Sequence, residues 1–148
     1  MKQKIRSKVF ETNSSSVHSI AISKEGREPS KLKLDKEGMI KVACGSFGKD
    51  KEYYTSQYSK LSYLISCLYY ISGCNISGIY HNYEFRRIED AICNYTGAKG
   101  IEISDDIEPD IDHQSIPDYT IEIIDTRDED AIINFIFNKY VALKTDCD

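Results

Sequence analysis

Leu61, Leu64, Ile65, Leu68 and Ile71 recur at i, i+3, i+4, i+7 spacing within residues 55–72. That is the period of a helix with one buried face. Thr55 or Ser56 can cap its N-terminus, and Gly73 stands just past its end. Tyr58, Tyr63, Tyr69 and Tyr70 widen the stripe, so this segment reads as the central buried helix. A chain of 148 residues, 41% apolar and 29% charged, has the composition of one globular domain built around such a helix.

The flanking segments predict an α+β domain over 1–143 with a frayed tail at 144–148. Residues 4–10 and 17–23 alternate apolar and polar side chains and read as an N-terminal hairpin. A second hairpin is expected where Leu32 and Leu34, then Ile40, Val42 and Cys44, alternate about the Asp35–Gly38 turn. Two later strands fit 100–104 and 119–124, giving a mainly antiparallel sheet packed by three helices. The second helix covers 84–96, with Phe85, Ile88, Ile92 and Tyr95 on one face and Gly97 as its stop. The third starts at a capping box, Thr126 to Glu129, and carries Ile132, Ile133, Ile136 and Tyr140.

Charge is segregated along the chain. Residues 1–51 hold twelve Lys/Arg and six Asp/Glu, whereas 102–130 hold twelve Asp/Glu and one cation, Arg127. The net charge is −5 and the pI is near 5.2. Direct nucleic-acid binding is therefore disfavoured, because the basic residues are scattered over strand faces. No apolar run reaches the roughly 20 residues that span a bilayer, and no apolar segment follows the basic Met1–Arg6 run as in a leader. A cytoplasmic setting is expected, without membrane contact. Five cysteines without a C-x-x-C pair or a histidine at metal spacing read as free thiols. No metal or cofactor is expected.

Two stretches could carry function. The first is Phe10-Glu11-Thr12-Asn13-Ser14-Ser15-Ser16-Val17-His18-Ser19. By strand parity Glu11 and His18 point to the same inward side, where a carboxylate could orient an imidazole base. Asn13, Ser14, Ser15 and Ser16 would offer hydroxyls and N–H groups to an oxyanion or phosphate. The same residues also describe a hydrogen-bonded hairpin end in which each buried polar group finds a partner, and the weight lies there. The run matches no nucleophile elbow, P-loop or Rossmann glycine pattern. The second stretch is the acidic loop from Ser104 to Asp118, with Asp105, Asp106, Glu108, Asp110 and Asp112. Its spacing is not that of an EF-hand. It reads as a solvated loop or as a surface for a partner with a basic face.

The Phe-Glu-Thr-Asn-Ser-Ser-Ser-x-His-Ser core resembles the N-terminal signature of small uncharacterised proteins encoded by phages and prophages of low-GC Gram-positive hosts. Gly45-Ser46-Phe47-Gly48 and Lys60-Leu61-Ser62-Tyr63-Leu64 are similar to later elements of those proteins, although Lys49 stands where an aromatic is usual. The resemblance covers about the first 70 residues and implies a setting, a phage-borne accessory protein, without a reaction. Three functions follow as expectations. The favoured one is a non-enzymatic protein that binds and inhibits a host complex, for example a CRISPR or other defence effector, through its acidic surface. The others are a small enzyme acting on a nucleotide or other phosphate-containing ligand at the Glu11/His18 turn, and a virion structural or assembly component.

Overall fold

The computed structural model describes residues 4–6, 16–22, 25–47, 52–106, 109–111 and 121–147. The chain is α+β. In order it runs β1 (Lys4–Arg6), β2 (Ser16–Ile22), β3 (Met39–Ala43), β4 (Ser46–Phe47), β5 (Glu52–Tyr54), α1 (Gln57–Ile71), α2 (Ile76–Tyr80), α3 (Tyr83–Thr96), β6 (Gly100–Ser104), β7 (Asp110–Ile111), α4 (Glu129–Phe137) and β8 (Val141–Cys147). The main sheet has the order β1-β2-β8-β5 and is antiparallel throughout. Two parallel pairs, β3-β6 and β4-β7, stand apart from it.

The helices follow their local signals. Ser56 caps α1 by accepting the Ser59 N–H, and Leu61, Leu64, Ile65 and Leu68 are fully buried. Asn82 caps α3 through Glu84 N and Phe85 N, and Gly97, at φ 81°, closes it in the left-handed conformation that glycine adopts without penalty. The short α2, capped by Asn75, has no counterpart in the sequence reading. At α4 the cap is Asp128 and not Thr126, because the Thr126 hydroxyl is buried and donates to Glu84 Oε1.

Three strand expectations are corrected. The first hairpin is present, with Ile5 opposite Ala21 and Arg6 opposite Ile20. The second shrinks to one antiparallel bridge, Leu34 to Ile40. The alternation at 40–44 is instead satisfied by β6, which lies parallel to β3 after a crossover through the helices. Residues 121–124 form no strand: Ile123 and Ile124 are both buried, and the Ile121 N–H goes to the Glu84 carboxylate. The expected frayed tail does not begin at 144, since 144–147 belong to β8, which pairs with β2 on one side and β5 on the other. Val141, Leu143 and Thr145 bury one face of β8, and this period-two pattern suits a strand held between two others.

The β3-β6 pair would present two raw edges, which invite pairing with other chains. Side chains close both. Glu89 Oε2 accepts from Ile101 N at 2.9 Å, and Tyr80 Oη accepts from Ile103 N at 2.7 Å. On β3, Asp35 Oδ1 accepts from Met39 N and Tyr58 Oη from Ala43 N.

The turn between α4 and β8 is fixed by a buried lysine. Lys60 is 0% exposed, and its Nζ donates to the Asn138 and Val141 carbonyls, each at 3.0 Å. Asn138 adds an acceptor for Tyr140 N. The segment 26–28 grips the same turn from outside, through Glu28 N to Phe137 O and Lys139 N to Gly26 O. Gly26 lies so close to the Tyr140 ring that an added Cβ would have to displace it.

Burial lowers the Lys60 ammonium to about 8, an effect that the Glu28 carboxylate opposes. Between pH 8 and the ordinary lysine value, the unfolded chain holds a proton that the folded chain has released, so Lys60 favours folding as pH rises. Burial raises the Cys67 thiol to about 12 and the Tyr63 phenol well above its usual range. Those two ionise first in the unfolded chain and act in the opposite direction. Stability is expected to fall above about pH 9. Lys60→Met should steepen that fall by roughly 2 kcal/mol by pH 10, relative to each protein's own value at neutral pH. Urea unfolding of both proteins between pH 7 and 10.5 reads the two slopes, and parallel slopes would refute the assignment.

Candidate functional site

The first candidate stretch lies mostly outside the described residues: Glu11, Asn13, Ser14 and Ser15 are not among them. The backbone register of β2 sets Ser16 opposite Cys147 and His18 opposite Thr145, so both belong to a strand held by β8. The juxtaposition of Glu11 with His18 falls outside the described residues.

The two later polar-aromatic elements are resolved into packing. Phe47 meets Tyr54 and Tyr63 edge-on, with ring centroids 5.1 and 5.3 Å apart. Ser62 donates to the Ala43 carbonyl at 2.6 Å, and Ser66 accepts from Gly45 N at 2.9 Å. A Cβ on Gly45 would approach Phe47 to 2.9 Å and Ser62 Oγ to 3.1 Å. Gly45 and Phe47 therefore dock on Ser62, Tyr63 and Ser66 of α1.

The second candidate is the acidic segment, and its described parts are anchored at several points. Beyond β6, Ser104 Oγ accepts from Asp106 N, and Asp105 and Asp106 are exposed. Pro109 is buried, and its carbonyl accepts from Tyr70 Oη at 3.1 Å. Asp110 pairs with Ser46 through the backbone of β7 and β4. Glu108 and Asp112 lie outside the described residues. The chain is held again at Ile121 by Glu84, 2% exposed, whose Oε2 accepts from Ile121 N at 3.0 Å and whose Oε1 accepts from Thr126 Oγ1 at 2.8 Å.

The described carboxylates from Glu102 to Asp130 lie before Pro109 or after Ile121. Glu102, Asp105, Asp106, Glu122, Asp125, Asp128, Glu129 and Asp130 are all exposed. Some have local roles. Asp125 pairs with Arg127, whose hydrogen bonds hold the Asp125 carboxyl below its usual range. Asp128 caps α4, where Glu129 and Asp130 also suit the positive end of the helix. Asp130 pairs with Arg27, and Glu102 lies 3.9 Å from Lys41. Asp105, Asp106, Glu122 and Glu129 have no ion pair among the described residues.

An open cleft lies between α3 and α4, lined by Arg27, Asn94, Tyr95, Glu129, Asp130 and Ile133. A second, small void of about 40 Å³ lies under β2, with apolar walls from Ile20, Ile124, Phe135 and Val141. Among the described residues no three His, Cys, Asp or Glu side chains are grouped to hold a metal ion, and no helix is long and apolar enough to cross a membrane. Cys44 and Cys67 are buried thiols, Cys93 is half-buried and Cys74 exposed. No protein-family model, curated protein or solved structure matches the chain.

The buried anchoring roles of Lys60 and Glu84, and the α3–α4 cleft, have no counterpart in the sequence expectations. The first two have a signal in hindsight. Lys60, Leu64 and Leu68 share i, i+4, i+8 spacing, as do Glu84, Ile88 and Ile92. A charged residue in line with an apolar stripe marks a buried anchor. The cleft has no such signal, because its walls come from three separate segments.

Glu84→Ala would strand two buried donors and is expected to cost about 2–4 kcal/mol. Glu84→Gln keeps an acceptor for Ile121 N and should cost less than half as much. Denaturant midpoints of the two variants test this, and equal losses would show that the carboxylate oxygens are not what anchors the segment.

Proposed function

We propose that this chain is a protein-binding module whose acidic face docks on the basic surface of another protein, a surface of the kind that ordinarily holds nucleic acid. The carrying observation is the exposure of Asp105, Asp106, Glu122 and Glu129 without ion pairs among the described residues. Exposed carboxylates without an ion pair among the described residues direct their field outward, where it steers association with a basic partner. The anchors at Tyr70–Pro109 and Glu84–Ile121 lower the ordering cost of binding, since the flanks of the acidic run are already fixed. The likeness of the N-terminal run to phage-borne accessory proteins supports a host complex, such as a defence effector, as the target. In that setting the protein acts by occupancy and competes with the polyanion.

Immobilised protein, challenged with lysate of a low-GC Gram-positive bacterium, is expected to retain nucleic-acid-binding proteins that added heparin releases. The triple variant Asp105→Lys, Asp106→Lys, Glu122→Lys, with an unchanged circular dichroism spectrum, should lose them at least tenfold. Retention of the same proteins by the triple variant would sink the reading.

A further inference from the structure

We propose that the cleft between α3 and α4 seats an arginine side chain of the protein partner, an inference that rests on the acidic-face reading and gives it a specific contact. The cleft has a volume of about 370 Å³, room for a long side chain and accompanying water. Its floor is apolar, because Ile133 is only 4% exposed while lining it. One wall is the Tyr95 ring, 37% exposed. That ring is held in place from behind: it stacks on Phe137 at 4.3 Å, and its hydroxyl donates to the Glu28 carbonyl at 2.7 Å. A fixed aromatic surface at the edge of an apolar floor is what a planar guanidinium stacks on.

The charges in the cleft agree. It contains two carboxylates, Glu129 and Asp130, and one guanidinium, Arg27, so its lining carries a net charge of −1. Arg27 donates to both the carboxylate and the main-chain oxygen of Asp130, so the cleft already holds a guanidinium supplied by the chain itself. That bond occupies Asp130 and leaves Glu129, whose contact among the described residues is a 3.4 Å hydrogen bond from Asn94 Nδ2. A second guanidinium entering over Tyr95 would meet the Glu129 carboxylate in a two-pronged bond. A lysine would find the charge but neither the stacking partner nor the fork geometry. The selectivity expected of the cleft is therefore arginine over lysine, and charged over neutral.

The test is titration of the ¹⁵N-labelled full chain at low salt with a blocked Gly-Gly-Arg-Gly-Gly peptide, followed by amide shifts at residues 94, 95, 129, 130 and 133. The shifts should saturate, weaken at least threefold for the lysine peptide and vanish for the citrulline peptide. Glu129→Gln and Tyr95→Leu should each weaken the response at least threefold, while Glu37→Gln, on an exposed turn outside the cleft lining, leaves it unchanged. Lack of a saturable response, or equal responses in wild type and Glu129→Gln, would overturn the assignment. So would concentration-dependent shifts of the same amides without peptide, which would put a second copy of this chain in the cleft. An absent peptide response removes the cleft and leaves the acidic face to its own capture experiment. Unchanged capture by the triple-lysine variant removes the wider reading whatever the titration shows.

Discussion

A fully buried ammonium must have its charge and its donors answered inside the protein, and Lys60 answers them with main-chain oxygens. Its two acceptors, the Asn138 and Val141 carbonyls, sit where α4 turns into β8. The lysine thereby fixes the direction of the last strand, and the last strand joins β2 to β5. Without that turn the main sheet would lose its centre. The grip of residues 26–28 on the same turn, with Gly26 pressed on Tyr140, makes the junction over-determined. Residues 137–141 are thus bonded from two independent directions.

Buried polar anchors recur through the fold with one logic. Lys60 fixes a turn, Glu84 fixes the return of the acidic segment, and Gln57 fixes the approach of the chain at 29–31 by accepting from Lys31 N and donating to the Pro29 carbonyl. Each sits on a helix and satisfies backbone groups of an irregular segment. Irregular segments have no ladder of their own, so helical side chains supply the partners. Glu89, Tyr80 and Tyr58 act in the same way on the edges of the β3-β6 pair. Polar side chains on the helices thus hold irregular chain in place.

Much of the helical layer was legible in the sequence because helix signals are local. The caps at Ser56 and Gly97 and the stripe through Leu61 and Leu68 lie within a few residues of what they control. The concentration of negative charge in 102–130 is also local, since charge density needs no fold to be counted. The partner of a strand is not local. The alternation at 40–44 fits a hairpin or a parallel pair equally well, and β6, some sixty residues away, decided between them. The final residues alternate Val141, Leu143, Thr145 just as a strand does. Even so, only pairing with β2 and β5 turns that alternation into the centre of a sheet.

By itself the sequence determined the class of the fold, the position of the main helices and the segregation of negative charge into residues 102–130. Period, capping chemistry and charge are properties of neighbouring residues, and they are set before the chain folds. The tertiary structure alone decided which strands pair, which charged side chains are buried and where concave surface forms. Arg27, Tyr95 and Glu129 meet in one cleft because three segments far apart in the chain pack together, and their separation along the sequence carries no trace of that meeting. Lys60 is a surface residue by composition and a core residue by position, since burial is decided by what packs over a side chain and not by its type.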